Sequence, residues 1–172
     1  LYNQSNRRSC PPRFGRQRLK LSLMSTAESQ ATTYYVAQRG DQLFGFDTNY
    51  VRESSNLDQL RVFPGTRPEL VGVVNLRNTV LPILLPDRWL LPDAIEYDPA
   101  KPIIVISHNK ITFGIQIDRT KGVLVAEESA HHPHPYEAET GYFSHLVAMA
   151  DGTIFTSINV ESLIHQIGQI SS

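Results

Sequence analysis

Two stretches of this chain repeat one pattern of strand-forming residues, and the repeat limits the folds open to the sequence. Residues 34–47 align without gaps on residues 103–116, at an offset of 69 positions. Each copy runs from a β-prone segment through a polar turn to a Phe-Gly pair at the same place. Such a repeat predicts two similar β modules in one chain.

The rest of the chain also consists of short apolar runs separated by turn residues. A hairpin rich in Val, Leu and Ile is predicted over residues 70–83, with residues 75–79 as its turn, and residues 145–158 carry a fainter echo of it around an Asp-Gly turn. No strand–helix–strand rhythm is present, which favours β-barrels or a sandwich over an α/β enzyme. Residues 160–167 have the apolar spacing of a short amphipathic helix. We therefore expect an all-β protein with a short C-terminal helix.

The composition is that of a globular protein. Its 172 residues suffice for one domain or for two small subdomains that share a core, and 41 % of them are hydrophobic. No run of about 18 apolar residues is present, so the sequence predicts no membrane span. The single cysteine, Cys10, excludes an internal disulfide framework and a cysteine-based zinc site, and it suits a reducing compartment.

The N-terminal segment differs in charge from the rest of the chain. Residues 1–23 contain six Arg or Lys and no acidic residue, which leaves ten basic against 17 acidic residues beyond them, a net charge of −7. Residues 1–31 lack apolar periodicity and are predicted to be a disordered basic tail; a true translation start at Met24 is one explanation for its first part. The acidic remainder disfavours nucleic-acid binding. A small β-barrel that binds nucleic acid through the basic arm is the alternative hypothesis.

Residues 130–140 form a predicted loop rich in Pro, His and Glu, which holds the main candidates for chemistry. Its three histidines, within residues 131–134, lie in a stretch broken by proline, without the fixed frame that a metal site needs. Ser144 and His145 are adjacent, but the chain contains no Gly-x-Ser-x-Gly nucleophile motif. The sequence therefore predicts no enzyme, no metal site and no cofactor. A β-rich hydrolase that uses the histidine loop is a third hypothesis.

Arg77 stands in the predicted turn of the hairpin over residues 70–83 and is the one cation in that stretch. A guanidinium on a rigid hairpin tip is well suited to dock a carboxylate of a partner protein. The alternative is a solvated turn residue without function, because loops carry function but are also simple connections. The pattern alone does not separate the two.

Several short motifs follow one another in a set order along residues 32–168. The most specific is Gly-Val-Val-Asn-Leu-Arg at 72–77, followed by Val-Leu-Pro at 80–82. In this order the motifs resemble the CheW-like family of chemotaxis coupling proteins. The further motifs are Phe-Gly-Phe-Asp at 44–47, Val-Arg-Glu at 51–53, Pro-Gly-Thr-Arg-Pro at 64–68, Phe-Gly-Ile at 113–115 with Asp118, and Ile-Asn-Val-Glu-Ser-Leu at 158–163.

The resemblance implies two small five-stranded β-barrels packed side by side and no catalysis. Members of the family are cytoplasmic adaptors that join the cytoplasmic tips of chemoreceptors to a CheA-type histidine kinase, in chemotaxis or in pilus-based motility. The expectation for this chain is therefore a signalling scaffold over residues 32–168. Its partners would be a chemoreceptor and a kinase, with no nucleic acid and no direct membrane insertion.

The resemblance also implies which residues contact these partners. The receptor-contacting arginine of the family falls on Arg77, and its acidic position falls on Glu53. The kinase-facing surface lies around Val51. The receptor-binding candidates are thus Arg77, Asn75, Glu53 and Leu76, and the kinase-binding candidates are Val51 and Arg52.

Two departures from the family pattern bear on these assignments. Asn78 stands where the family usually has glycine, a mild change if the backbone there has a positive φ angle, since Asn tolerates that region better than most residues. Leu85-Pro86 stand where the family tends to have Asp-Leu. Proline cannot donate a backbone hydrogen bond, so the strand is expected to end early and the following loop, with Trp89, to be remodelled.

Overall fold

The structure, a computed structural model, describes residues 31–56, 60–62, 70–85, 97–135 and 141–168, with side chains to His165. The predicted tail over residues 1–30 and the loop with Pro86 and Trp89 lie outside the described residues. The elements are β1 (Thr32–Arg39), β2 (Gln42–Asp47), β3 (Val51–Ser55), β4 (Leu70–Leu76), β5 (Thr79–Leu84), β6 (Ile103–His108), β7 (Ile111–Gln116), β8 (Arg119–Ala126), a 3-10 turn (Glu128–Ala130), β9 (His131–Pro133), β10 (Phe143–Ala148), β11 (Ile154–Ile158) and helix α1 (Val160–Gly168).

The strands form two sheets, which confirms the predicted all-β fold of two β subdomains. The six-stranded sheet has the order β8-β1-β2-β11-β10-β9, and the five-stranded sheet has the order β3-β6-β7-β5-β4. Each sheet corresponds to one of the two predicted β-barrel subdomains. Neither strand order closes into a full barrel over the described residues, and one sheet has six strands where five were predicted. The sixth strand is β9, inside the segment predicted as loop. It pairs with β10, and Pro133 is tolerated because β9 is an edge strand.

Each sheet contains one copy of the sequence repeat together with strands from the other half of the chain. The hairpin β1–β2 of the first copy lies in the six-stranded sheet, and the corresponding hairpin β6–β7 lies in the five-stranded sheet. Each hairpin then pairs in parallel with the last strand of the other half, β2 with β11 and β7 with β5. Each sheet is therefore built from strands of both halves of the chain.

Three apolar clusters hold these layers together. One lies inside the five-stranded sheet around Leu81 and Ile83, and one lies inside the six-stranded sheet around Tyr34 and Phe155. The largest lies between the sheets and includes one face of helix α1. The helix buries Val160, Leu163 and Ile164, at the predicted helical spacing. No helix of the described residues has the length and apolar character that a bilayer span requires.

The five-stranded sheet is curled, so that the β3 end of its strand order approaches the β4 end. Arg61, which follows β3, bridges Val73 of β4 through reciprocal N–H···O bonds of 2.8 and 2.9 Å. Gly72 makes this approach possible, because a β-carbon there would collide with the backbone carbonyl of Arg61. At Gly114, in the Phe-Gly repeat, a β-carbon would lie 2.6 Å from Cδ1 of Ile83. Both glycines are thus required by close packing inside the rolled sheet.

We predict that Gly72→Ala costs more stability than Gly114→Ala. A methyl group at 72 must displace backbone, whereas a methyl group at 114 meets the mobile end of an isoleucine, so we expect losses of about 2 and about 1 kcal/mol in the free energy of unfolding. Urea denaturation of both variants measures the difference. Adding Ile83→Val, which removes the obstructing carbon, should reduce the cost at Gly114 and leave that at Gly72 unchanged; equal costs at the two sites would contradict this packing account.

Asp118 lies where the chain crosses from the five-stranded sheet to β8 of the six-stranded sheet. Its carboxylate contacts Nη1 of the fully buried Arg39 at 3.2 Å and Nζ of Lys101 at 2.8 Å, and it accepts the N–H of Gly40 at 2.6 Å. Burial alone would raise the pKa of Asp118, but the bonds from Lys101 and Gly40 and the charge of Arg39 outweigh it and lower this pKa below its usual value. Asp118 therefore ties the crossover to the first hairpin.

Candidate functional site

The candidate partner-binding residues lie on the two outer strands of the five-stranded sheet and in the turn that follows β4. Val51, Arg52 and Glu53 are on β3, and Asn75 and Leu76 end β4 immediately before Arg77. Although β3 and β4 stand at opposite ends of the strand order, Nη2 of Arg77 lies 2.8 Å from Oε2 of Glu53. The rolling of the sheet thus brings the proposed receptor and kinase residues to one continuous edge, which we call the docking edge.

The hairpin turn that carries Arg77 is tighter than predicted. Residues 75–79 were expected to form the turn, but Leu76 pairs with Thr79, which leaves a two-residue turn of Arg77 and Asn78. Both turn residues have positive φ angles, 49° and 66°. These are the signature of a type I′ turn, whose twist matches that of the flanking strands. Asn78 tolerates this backbone, so its presence where the family usually has glycine is a mild change, as predicted from the sequence.

Arg77 is held in a backbone conformation that does not favour it. A residue other than Gly, Asn or Asp loses about 1–2 kcal/mol in the left-handed region, and Arg77 gains little in return from an exposed turn. The hairpin β6–β7 has the same kind of turn, with Asn109 and Lys110 at φ 48° and 68°. The strain is therefore a property of both hairpin turns and does not by itself assign a role to Arg77.

We predict that Arg77→Gly stabilises the fold by about 0.5–1 kcal/mol. Glycine removes the strain of the left-handed backbone in the folded state, but it also raises the conformational entropy of the unfolded chain, which offsets part of that stabilisation. Lys110→Gly should stabilise the fold by a similar amount, since its φ angle is similar. Thermal unfolding of the two variants checks both values. If Arg77→Gly destabilised the fold while Lys110→Gly stabilised it, the Arg77 side chain would have a structural role that the geometry does not assign to it.

The ion pair at the docking edge is available to a partner. The Arg77 side chain is 78 % exposed and that of Glu53 is 30 % exposed. Such surface pairs contribute at most about 1 kcal/mol, so a carboxylate on a partner can take the place of Glu53 at little cost. Val80, which pairs with Asn75 across the hairpin, is 68 % exposed and adds an apolar contact beside the charge. Leu76 is half-buried and packs against the cluster inside the sheet.

Strand β3 is irregular at the kinase-binding candidates. Val51 pairs with Ile106 and Glu53 pairs with Val105, so Arg52 is an extra, exposed residue in a β-bulge. Bulges bend an edge strand and re-aim its side chains. Val51 is half-buried and packs against the cluster between the sheets. Arg52 is therefore the more accessible of the two.

The histidines of residues 131–134 do not converge. His131 faces a cavity of about 450 Å³ beside the start of α1, where its Nε2 lies 2.9 Å from the Tyr34 hydroxyl and its Nδ1 lies 2.9 Å from the Glu127 carbonyl oxygen. His132 is exposed, and the ring of His134 packs 4.4 Å from that of Phe143. No group of three or more metal-ligating side chains forms within the described residues.

Ser144 and His145 do meet at this cavity, with Oγ of Ser144 2.6 Å from Nδ1 of His145. Neighbouring residues of a regular strand point to opposite faces, but the pairing of β10 with β11 is irregular between Phe143 and Leu146. No local pattern in residues 143–146 predicts this irregularity. The acidic residues 137 and 139 of the predicted loop lie outside the described residues.

Comparison with known proteins places this geometry in a family. The model of the CheW-like domain matches residues 33–168. The chain is 24 % identical over 140 residues to the chemotaxis protein CheW of Klebsiella aerogenes, covering 80 % of this chain and 84 % of the relative. It is 23 % identical over 127 residues to the chemotaxis protein CheW of Thermotoga maritima, covering 74 % and 83 %.

A solved structure shares the fold. The crystal structure of the scaffolding protein TtCheW from Thermoanaerobacter tengcongensis superposes with a TM-score of 0.67 at 18 % identity, covering 76 % of this chain and 90 % of that one. The two-sheet architecture of this chain is thus that of a solved scaffolding protein. The chain belongs to the CheW-like domain family, since the family model covers most of its length.

Proposed function

We propose that this protein is a non-catalytic, cytoplasmic adaptor that couples chemoreceptors to a CheA-type histidine kinase. The observation that carries the proposal is the exposed Arg77–Glu53 pair, 2.8 Å apart, on the edge where β3 and β4 meet. On this edge, the residues that the family resemblance assigns to the receptor lie beside those that it assigns to the kinase.

The receptor contact is centred on Arg77. An acidic side chain on a receptor helix exchanges with Glu53 as the partner of the guanidinium, and the planar group can bind it through two hydrogen bonds. Asn75 is exposed one position before Leu76 and contributes a polar contact. Leu76 supports the hairpin from inside the sheet, and Val80 offers an apolar surface to the helix.

The kinase contact uses the neighbouring part of β3. Arg52 projects from the bulge, and Val51 lies partly exposed beside it. Because Glu53 follows directly, the two contacts share a border and a rigid sheet connects them. The adaptor then acts by bivalency: it holds kinase and receptor at a high effective concentration and in a defined geometry. Flagellar and pilus-based pathways are both compatible with this role.

Arg52→Glu tests the kinase contact. Binding of the full chain to a purified CheA-type kinase should weaken about tenfold, as expected when a charged interface residue is reversed, while binding to a receptor cytoplasmic fragment stays unchanged. Isothermal titration calorimetry measures both affinities. Arg119→Glu, a charge reversal on the other sheet, is the control. If Arg52→Glu instead lost receptor binding and kept kinase binding, the assignment of Arg52 to the kinase contact of the docking edge would be wrong.

The nucleic-acid hypothesis depends on the basic segment of residues 1–23, which lies outside the described residues. A protein of that kind would bind oligonucleotides with an affinity that falls steeply as salt increases. The adaptor hypothesis expects no such binding.

A further inference from the structure

Strand β8 forms one end of the six-stranded sheet. It pairs with β1 on one side, and within the part of the chain that the structure describes no strand covers its other side. An antiparallel edge strand presents unpaired N–H and C=O groups, which are a template for a further strand. The first half of β8 is protected, because a bulge at Lys121 and Gly122 interrupts the pairing with β1. The second half, from Gly122 to Ala126, pairs regularly.

The regular half of β8 presents an apolar outer face. Val123 and Val125 are each 58 % exposed, on a strand whose intervening residue Leu124 is half-buried. Lys121 is exposed just before this stretch, and Glu127 is exposed just after it in extended backbone. Two exposed β-branched residues on an uncovered edge offer a surface on which a further strand can pair, and the flanking cation and anion restrict which strand fits there.

We propose that β8 pairs with β8 of a second copy of this chain, antiparallel and centred on Leu124. In this register Val123 of each copy lies opposite Val125 of the other, and Lys121, in the bulge at one end of the paired segment, lies near Glu127, which follows the strand at the other end. The segment is therefore complementary to itself in both shape and charge, as a two-fold interface requires. A register centred on Val123 would instead place Lys121 opposite Val125, without a charge partner, and Glu127 opposite Arg119.

The surroundings of β8 leave room for the added strand. A cavity of about 410 Å³ opens beside Val125 and Ala126 and is lined largely by small side chains, among them Ala130, Ala148 and Ala150. Side chains of the added strand that point toward the core can enter it. The docking edge lies on the five-stranded sheet, so this inference goes beyond the proposed function and does not depend on it. A dimer of this kind presents two docking edges.

Sedimentation equilibrium of the full chain tests the proposal. The native protein should show a monomer–dimer equilibrium, and Val123→Lys with Val125→Lys should make it monomeric. Val62→Lys, which changes an equally exposed valine near β4, should dimerise like the native protein. Circular dichroism confirms that each variant is folded; exposed positions make unfolding an unexpected result.

Charge reversal identifies the register. Lys121→Glu or Glu127→Lys alone turns two attractive pairs into two repulsive pairs and should weaken dimerisation about tenfold. An equimolar mixture of the two single variants should form a heterodimer, because Glu–Lys pairs are then restored at both positions. The double variant should also dimerise like the native protein.

Three results would overturn the proposal. The native chain could remain monomeric at every accessible concentration. It could dimerise while the β8 variants leave the equilibrium unchanged, which would place the interface elsewhere. The β8 variants could abolish binding of a CheA-type kinase without affecting self-association, which would make β8 a kinase contact instead.

Discussion

Arg77→Glu should weaken binding to a chemoreceptor cytoplasmic tip about 100-fold and leave the protein folded. The expected loss is large because a central charged anchor is replaced by a repulsive one, in the range that alanine scanning finds for dominant interface residues. The fold should survive because the side chain is exposed and its pair with Glu53 contributes little. Titration calorimetry with a purified receptor fragment measures the affinity, and urea denaturation measures the stability.

Lys110→Glu is the matched control. Lys110 is an exposed cation in a turn with similar φ angles, at the tip of another hairpin of the same sheet. Its reversal should leave receptor binding unchanged. Binding to Arg77→Glu should return when the contacted receptor carboxylate is replaced by lysine. Equal losses at Arg77 and Lys110 would show that net charge rather than a specific contact controls the interaction.

Asp118→Asn should destabilise the protein by about 3 kcal/mol, because it removes the charge from the acceptor of several bonds. The Asp118 carboxylate faces the fully buried Arg39 at 3.2 Å and also bonds Lys101 and the N–H of Gly40. Lys101, which is partly exposed, can turn to solvent and limits the loss. Urea denaturation at neutral pH measures the change. Lys101→Gln, which removes the accessible partner only, is the control and should cost less than 1 kcal/mol, as for a surface pair.

Acid should weaken the same contact. The pKa of Asp118 is lower in the folded state than in the unfolded chain, so its contribution is fully present above the unfolded pKa of about 4 and is lost as the pH falls through the lower folded value. The stability of the native protein should therefore decline below about pH 4 more steeply than that of Asp118→Asn. If the stability of both proteins fell in parallel as the pH was lowered, protonation of Asp118 would not be the cause of the loss.

Periodic signals in the sequence predicted the parts of the fold that depend on local patterns. The apolar spacing after residue 160 gave the helix, and the Phe-Gly repeat gave the two similar hairpins. Neither signal predicts that each sheet takes strands from both halves of the chain. A repeat shows which segments are alike, but it does not show which segments pair. Strand β9 was missed because three residues with two histidines and a proline have no strand signal; it forms because β10 offers it an edge.

The candidate site was predicted residue by residue but not as a site. Glu53 and Arg77 are 24 positions apart, and only the rolling of the sheet brings them into contact. The two-residue turn was not predicted, because Asn and Thr are compatible with a loop. The register between β4 and β5 instead places Asn75 and Thr79 in strands. The bulge at Arg52 is likewise a consequence of pairing with β6 that no local pattern announces.

The central claim is that one adaptor holds kinase and receptor at the same time. Co-sedimentation of a CheA-type kinase with receptor-bearing vesicles tests it most directly, with the full chain present, absent or carrying Arg77→Glu. Kinase should sediment with the vesicles only when the native chain is present, and Arg77→Glu should leave the adaptor and the kinase together in the supernatant. Undiminished recruitment by Arg77→Glu, or displacement of the receptor by the kinase, would contradict it.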